Sequence, residues 1–166
     1  MRYLILLPSL FWFLILPFVS AETHKADVII YGGTSGAVMA GVQTARMGKS
    51  VIMVSPDKHL GGLTSGGLGW TDNGHAAGIG GLSLEFYQAV KQHYEKPESW
   101  RQETQAEFRT IKRPQGRNRP KDKAMWVFEP HVAEKLMNEF VTKHKVKVVR
   151  DAWLDGEKGV EMKEGK

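Results

Sequence analysis

The pattern of apolar and polar positions is most regular in the N-terminal third of the chain. Residues 26–31 and 50–54 are short apolar runs rich in β-branched side chains, as expected for parallel strands that are buried on both faces. Between them, an apolar stripe at helical spacing predicts a helix over about residues 35–47; the stripe consists of Val38, Val42 and Ala45. Strand, helix and strand together have the length of one βαβ unit.

The C-terminal half is less regular. Residues 83–93 have imperfect helical spacing, whereas the apolar stripe that follows Pro130 predicts a helix to about residue 145. Residues 146–154 then predict a third strand of the parallel sheet. Residues 96–123 contain nine Lys or Arg and four Asp or Glu with few aliphatic side chains, which predicts an exposed basic insertion.

The N-terminus has the layout of a targeting segment. Arg2 is followed by 17 largely apolar residues, 3–19, and then by the small residues Ser20 and Ala21. This order predicts a secretory signal peptide over residues 1–21, an exported mature chain over residues 22–166, and no membrane attachment after cleavage. The alternative is an uncleaved membrane anchor, but the run is slightly short and Pro17 would break a spanning helix near its end.

The amino-acid composition excludes several kinds of functional site. The 166 residues include no Cys, which excludes a disulfide scaffold, a Cys-ligated zinc site, an iron–sulfur cluster and a thiol nucleophile within this sequence. The six His show no metal-ligand spacing, so we expect no metal site. The net charge of +5 is mild and concentrated in the basic insertion, where Trp100 and Phe108 are too few aromatic side chains for a nucleic-acid platform.

The turn between the first strand and the helix is where binding chemistry is predicted. Its residues 32–36, GGTSG, bring backbone N–H groups to the N-terminus of the helix, where the helix dipole attracts a phosphate. In the dinucleotide-binding fingerprint G-x-G-x-x-G, the three glycine places fall on Gly32, Thr34 and Ala37. The turn therefore predicts a dinucleotide site; the alternative is a glycine-rich turn that serves only packing.

The end of the second strand bears on which dinucleotide is bound. An acidic residue is expected there to bind the ribose hydroxyls, but the place is taken by Ser55, with Asp57 two residues later. The missing acid, with Lys58 and His59 close by, would also suit the 2′-phosphate of NADP, so the spacing leaves FAD and NADP open. The glycine-rich residues 58–72 have no regular period and favour a flavin, whose pyrophosphate and ring system extend further along the protein.

Four segments carry a resemblance to a known family. They are residues 28–36 (VIIYGGTSG), 59–69 (HLGGLTSGGLG), 79–87 (IGGLSLEFY) and 125–135 (MWVFEPHVAEK). Over nearly all of residues 26–155, the chain resembles the secreted FAD-dependent oxidoreductases that are distantly related to the flavin-containing part of heterodisulfide reductase.

The resemblance implies an α/β fold, namely the N-terminal part of a Rossmann-like FAD-binding domain with a parallel sheet and flanking helices, incomplete in this chain. It implies FAD as cofactor and two-electron or hydride transfer to or from a small organic substrate, but it identifies no catalytic residue. Residues 150–152, after the third strand, are candidates for contact with the adenine. The places that hold the flavin in this family fall on Gly32, Gly33, Thr34, Ser35, Gly36, Ser55, Gly61, Gly62, Leu63 and Thr64.

Two other functions remain open on the sequence. An NADP-binding dehydrogenase module is favoured by Ser55 and Lys58 and disfavoured by the second glycine-rich segment. A truncated, non-catalytic remnant of a flavoprotein is the other alternative, because flavoproteins of this class are much longer than 166 residues.

Cleavage of the signal peptide predicts a defined N-terminus. Exported protein should begin at Glu22, because Val19 and Ala21 present the small side chains that a signal peptidase recognises. N-terminal sequencing of the exported protein tests this expectation, and protein that still begins at Met1 would contradict it.

Overall fold

The fold is a parallel β-sheet with α-helices packed against it. A computed structural model describes residues 22–72, 74–110 and 123–164. The predicted signal peptide, residues 1–21, lies outside these ranges. None of the helices within them is long and apolar enough to cross a membrane. The elements are β1 (Val28–Tyr31), α1 (Ser35–Arg46), β2 (Val51–Val54), α2 (Gly81–Tyr94), α3 (Gln105–Thr110), α4 (Pro130–Lys143) and β3 (Lys147–Val149).

The sheet confirms the predicted α/β class. Its three strands are parallel and lie in the order β1-β2-β3, with Val28 opposite Val51 and Met53 opposite Val148. The third strand is shorter than the predicted 146–154, because the backbone enters the left-handed region at Asp151 (φ +53°) and leaves the sheet.

Helix α1 lies unusually close to the sheet. Val38 and Val42 are fully buried in the core. Gly41, beside them, is also buried, and a Cβ atom there would lie 3.0 Å from Sδ of Met53 and 3.3 Å from Cγ1 of Val146. The close approach of helix and sheet therefore depends on the absence of a side chain at this position.

A reciprocal pair of hydrogen bonds fixes the relative position of β1 and β2. The carboxylate of Asp27 accepts from the N–H of Ser50 (2.8 Å) and from its hydroxyl (2.6 Å), while the N–H of Asp27 donates to Ser50 Oγ (2.8 Å). These bonds lower the pKa of Asp27. Their contribution to stability is therefore present at neutral pH and is lost as the pH falls through the lowered pKa.

Helices α2 and α4 are joined through Tyr94 and Glu129. Helix α2 begins at Gly81, two residues before the predicted start, and ends at Tyr94. The buried Tyr94 hydroxyl donates to the Glu129 carboxylate (2.8 Å) and accepts the N–H of Glu129 (2.9 Å), immediately before α4. Burial raises the pKa of Tyr94, so the hydroxyl remains a neutral donor at physiological pH.

The described part of the predicted basic insertion is anchored to the core by two aromatic side chains. Most of its charged side chains are exposed, as expected, but Trp100 and Phe108 pack against the core with ring centroids 4.9 Å apart. The indole N–H of Trp100 also donates to the carbonyl of Tyr94 (2.9 Å). Residues 111–122 of the insertion lie outside the described residues.

The helices cover one face of the sheet. Side chains on that face enter the main apolar cluster, and they include Val28, Ile30, Val51, Met53 and Val148. On the opposite face, about half of the surface of Ile29 and of Tyr31 is exposed. The Tyr31 hydroxyl accepts the N–H of Leu154 (3.3 Å), which holds the segment after β3 near the same face.

Substitution of Gly41 tests the close packing of α1. We expect Gly41→Leu to lower the free energy of unfolding by about 1–3 kcal/mol, because the side chain would displace Met53 and Val146. Ala40→Leu is the control, since Ala40 is exposed on the same helix and should tolerate leucine. Urea unfolding of both variants provides the comparison, and equal loss in the two would contradict the packing argument.

Candidate functional site

The N-terminus of α1 is arranged to bind an anion. Gly32 (φ +119°) ends β1, and its N–H makes the last sheet bond, to the carbonyl of Val54 (2.8 Å). Thr34 caps the helix by accepting the N–H of Ala37 on its hydroxyl (3.2 Å). Ser35 and Gly36 lie in the first turn of the helix, where the backbone N–H groups have no acceptor within the helix. Their N–H groups are at the positive end of the helix dipole.

The second glycine-rich segment lies directly against this turn. The N–H of Gly61 donates to the carbonyl of Gly33 (2.7 Å), and Thr34 and Gly61 form an isolated parallel bridge. A Cβ atom on Gly62 would lie 3.4 Å from Cα of Thr34. The structure therefore brings together two segments that the sequence placed in one site, and nine of the ten predicted residues belong to them.

A short 3₁₀ helix, Gly62–Thr64, shapes the second segment where the sequence predicted only irregular backbone. Gly61 (φ +113°) and Gly62 (φ +56°) adopt backbone conformations that favour glycine. The Ser65 hydroxyl donates to the carbonyl of Leu60 (2.6 Å), and the Leu60 side chain is fully buried. This fixed turn leaves the side chain of Leu63 exposed.

Ser55 stands where the sequence placed it, immediately after β2, but its hydroxyl does not face an open site. The residue is fully buried, and Oγ accepts the N–H of Asp57 (3.1 Å). Its backbone N–H donates to the carbonyl of Val149 (2.8 Å). A Cβ atom on Gly33 would collide with Ser55 Oγ, so the hydroxyl occupies the space that Gly33 leaves free. The expected contact with a ribose is therefore replaced by a bond within the turn.

A polar groove of about 730 Å³ lies beyond the carboxyl ends of β2 and β3. This is the edge where open parallel sheets bind ligands, and the volume is typical of ligand sites. His59 Nδ1 and Glu134 Oε1 are 2.6 Å apart at its wall. The lining residues are Pro56, Asp57, Lys58, His59, Gly62, Ser65, Gly66, Gly67, Pro130, Glu134 and Asp151.

Only some of the residues that line the groove were predicted from the sequence. Of the candidates 150–152, Asp151 lines it, whereas the guanidinium of Arg150 donates to Asn138 Oδ1 (2.7 Å). Pro130 and Glu134 were missed as site residues. They lie on α4, far from the glycine-rich segments in sequence, and only the packing of α4 beside the sheet brings them to the groove.

The arrangement fits a dinucleotide. A pyrophosphate can receive the N–H groups of Ser35 and Gly36, and a Cβ atom at Gly36 would meet only Thr34 Oγ1 at 3.8 Å, so this end of the helix is open. The groove beside it offers carboxylate, ammonium and imidazole groups to a nucleoside.

Residues 27–166 match the sequence model of the FAD-dependent oxidoreductase family. The chain therefore belongs to this family, and FAD is its cofactor. This assignment favours FAD over the NADP alternative that the spacing had left open. No curated protein matches the chain.

Solved structures with a similar fold include three larger proteins. Thermovibrio ammonificans THI4 has 17% identity and a TM-score of 0.39 over 75% of this chain and 38% of its own. Proteus vulgaris L-amino acid deaminase has 14% identity and a TM-score of 0.44, covering 88% and 44%. The 3-ketosteroid-Δ4-(5α)-dehydrogenase of Rhodococcus jostii RHA1 has 16% identity and a TM-score of 0.38, covering 81% and 39%.

These similarities concern the fold alone. The chain spans less than half the length of each of the three proteins.

Substitutions at two nearby glycines test the geometry of the turn. Gly33→Ala should lower the free energy of unfolding by about 1–3 kcal/mol, because its Cβ would collide with Ser55 Oγ and press on the His59 carbonyl. Gly36→Ala should leave it unchanged or raise it by up to about 1 kcal/mol, because helical alanine is favoured over glycine. Thermal unfolding of the two variants without cofactor measures both changes in the free energy of unfolding.

A second substitution gives the control for the collision. Ser55→Gly in the Gly33→Ala background removes the hydroxyl that the new methyl group meets, so it should restore part of the lost stability. If Gly36→Ala proved as destabilising as Gly33→Ala, the described geometry of the turn would be incorrect.

Proposed function

We propose that this chain is the FAD-binding N-terminal part of an exported oxidoreductase that transfers two electrons or a hydride to or from a small organic substrate. The observation that carries the proposal is the junction of the two glycine-rich segments, where the N–H of Gly61 meets the carbonyl of Gly33 beside the start of α1. Bound FAD supplies the redox chemistry, and the chain supplies binding and orientation.

In this proposal, the backbone rather than charged side chains holds the pyrophosphate. Ser35 and Gly36 donate their N–H groups to it, and the dipole of the twelve-residue helix α1 adds a favourable positive end. The turn formed by Gly32, Gly33 and Thr34 lets the phosphates approach closely. Residues 61–64 would hold the part of the cofactor next to the pyrophosphate, since Gly61 lies against Gly33.

The polar groove at the ends of β2 and β3 would hold the adenosine half of FAD. Asp57 and Lys58 follow β2, and Asp151 follows β3, so each lies where a ribose or an adenine edge would meet the sheet. Because Ser55 is buried, we assign the ribose contact instead to the carboxylate of Asp57, which lies two residues after Ser55 and lines the groove.

Export is proposed from the N-terminal sequence. Residues 1–21 have the order of a cleavable signal peptide, and no Arg-Arg pair is present there that would indicate the route for proteins folded before export. The chain therefore crosses the membrane unfolded and binds FAD afterwards.

The glycine-rich segments 32–36 and 59–69 support a distant relation to the flavin-containing part of heterodisulfide reductase.

The direct test is titration of the full-length protein with FAD and, separately, with NADP. We expect saturable binding of FAD, detected by the change in flavin fluorescence, and no comparable binding of NADP. Tight binding of NADP without binding of FAD would overturn the proposal. Binding of neither would support the alternative of a non-catalytic remnant.

A charge placed at the start of α1 tests where the pyrophosphate lies. Ser35→Asp should raise the stability of the cofactor-free protein by up to about 1 kcal/mol, because an acid in the first turn suits the helix dipole. The same carboxylate should repel the pyrophosphate and weaken FAD binding at least about tenfold. Ser35→Asn is the matched uncharged control, and unchanged FAD affinity in Ser35→Asp would contradict the assignment.

A further inference from the structure

A small cavity beside the C-terminal end of α2 is lined mainly by apolar and aromatic side chains. Its volume is about 210 Å³. Six side chains give it this character: Tyr94, Trp100, Phe108, Met125, Val127 and Phe128. We call it the aromatic cavity. An engineered apolar cavity of about 150 Å³ binds benzene, so this cavity has room for a phenyl ring with a short substituent.

The walls of the aromatic cavity are fixed before any ligand binds. Tyr94, Met125 and Phe128 belong to the buried core. The ring of Trp100 contacts those of Tyr94 and Phe108, with centroid distances of 5.3 Å and 4.9 Å. Its indole N–H also donates to the carbonyl of Tyr94 (2.9 Å). Because these side chains are already held in place, little further ordering is needed when a ligand enters.

A second, polar cavity adjoins the first. Its volume is about 480 Å³, and both cavities are lined by Ser99, Arg101, Gln102 and Glu129. Five of its lining side chains are basic: His93, Lys96, Arg101, His131 and Lys135. We call it the basic groove. The four shared residues form the rim at which an apolar cavity meets a positively charged one.

The balance of charge in the basic groove favours an anion. Glu98 and Glu129 also line the groove, and Glu103 lines the aromatic cavity. The three Lys and Arg side chains of the groove thus outnumber its two acids. Among the residues that the structure describes, neither Lys96 nor Arg101 forms a salt bridge. Their charges are therefore available to a ligand.

His93 shows that its surroundings are positive. Burial lowers the pKa of His93, and the positive charges of Lys135, Lys96 and His131 lower it further, whereas Glu129 acts in the opposite direction. An anion bound in the groove would offset the positive charge and make a proton on this imidazole more favourable.

The basic groove is separate from the polar groove that we assign to FAD. Pro130 and Glu134 line the polar groove, whereas His131 and Lys135, on the neighbouring face of α4, line the basic groove. No residue lines both. A ligand in the basic groove therefore leaves the polar groove to the cofactor.

We propose that the aromatic cavity and the basic groove together bind a small aromatic carboxylate. The ring enters the cavity between Trp100, Phe108 and Phe128, and the carboxylate accepts hydrogen bonds from the guanidinium of Arg101 at the shared rim. Aromatic walls favour an aromatic ring over an aliphatic chain, and a guanidinium matches the geometry of a carboxylate. This inference goes beyond the proposed function, because it assigns a second ligand at a site that FAD does not use.

Three probe ligands test the two halves of the site. Phenylacetate has both the ring and the charge, phenylacetamide lacks the charge, and acetate lacks the ring. In calorimetric titrations of the full-length protein without cofactor, phenylacetate should bind saturably, and the other two should bind at least about tenfold more weakly. Absence of phenylacetate binding would overturn the proposal, as would equal affinity for either of the other two ligands.

The role of Arg101 is tested by removal of its charge. Arg101→Gln should raise the dissociation constant for phenylacetate about tenfold and leave that for phenylacetamide unchanged. Arg109→Gln is the matched control, because Arg109 is also exposed but lines neither cavity. Equal effects of the two substitutions on phenylacetate would contradict the assignment.

The role of the aromatic wall is tested by a change that keeps apolar volume. Phe108→Leu should raise the dissociation constant for phenylacetate about three- to tenfold, because an aromatic contact with the ring is lost. Phe140→Leu is the control, because Phe140 is also a partly buried side chain packed against the core but lines neither cavity. Unchanged affinity in Phe108→Leu would place the ring elsewhere.

The imidazole of His93 reports on the charge of the ligand. In NMR titrations, saturating phenylacetate should raise the pKa of His93, and phenylacetamide should not. His144, which follows the other end of α4, is the control and should not respond. An unchanged His93 would place the carboxylate outside the basic groove. Because none of these measurements uses FAD, their outcome is independent of the proposed function.

Discussion

The site depends on one backbone hydrogen bond, from the N–H of Gly61 to the carbonyl of Gly33. The two stretches of main chain leave little room for side chains between them: a Cβ on Gly33 would lie 3.3 Å from the His59 carbonyl oxygen, and one on Gly62 would lie 3.4 Å from Cα of Thr34. The contact places the second glycine-rich segment beside the start of α1. Part of the wall of the groove follows from that placement, because Gly62, Ser65 and Gly66 line it.

The sequence predicted the βαβ unit well because its signals are local. Apolar periodicity predicted a helix over 35–47, and α1 spans Ser35–Arg46. Strands predicted over 26–31 and 50–54 became β1 and β2, each slightly shorter. The glycine strings were also informative, because so many missing side chains indicate close approach of backbone even when the partner is unknown.

Contacts between residues that are far apart in the sequence could not be predicted from these local signals. Glu134 contacts His59 although the two residues are 75 positions apart in the sequence. Nothing in the sequence near either residue indicates this contact. The burial of Ser55 depends on the space left by Gly33, and the bridge between Trp70 and Val127 depends on the path of the chain around α2. These features arise from packing, which periodicity and spacing describe only within one element.

The order of the strands in the sheet has a consequence for how the molecule assembles as it is made. Because the strands lie side by side in chain order, each strand that emerges during synthesis or translocation finds its partner already present. The main-chain contact between Gly33 and Gly61 needs nothing after β2 except a few residues of the following turn. The phosphate-binding turn and its neighbour can thus meet early through a short loop, whereas α4 and β3 pack later against this preformed half and close a much longer one.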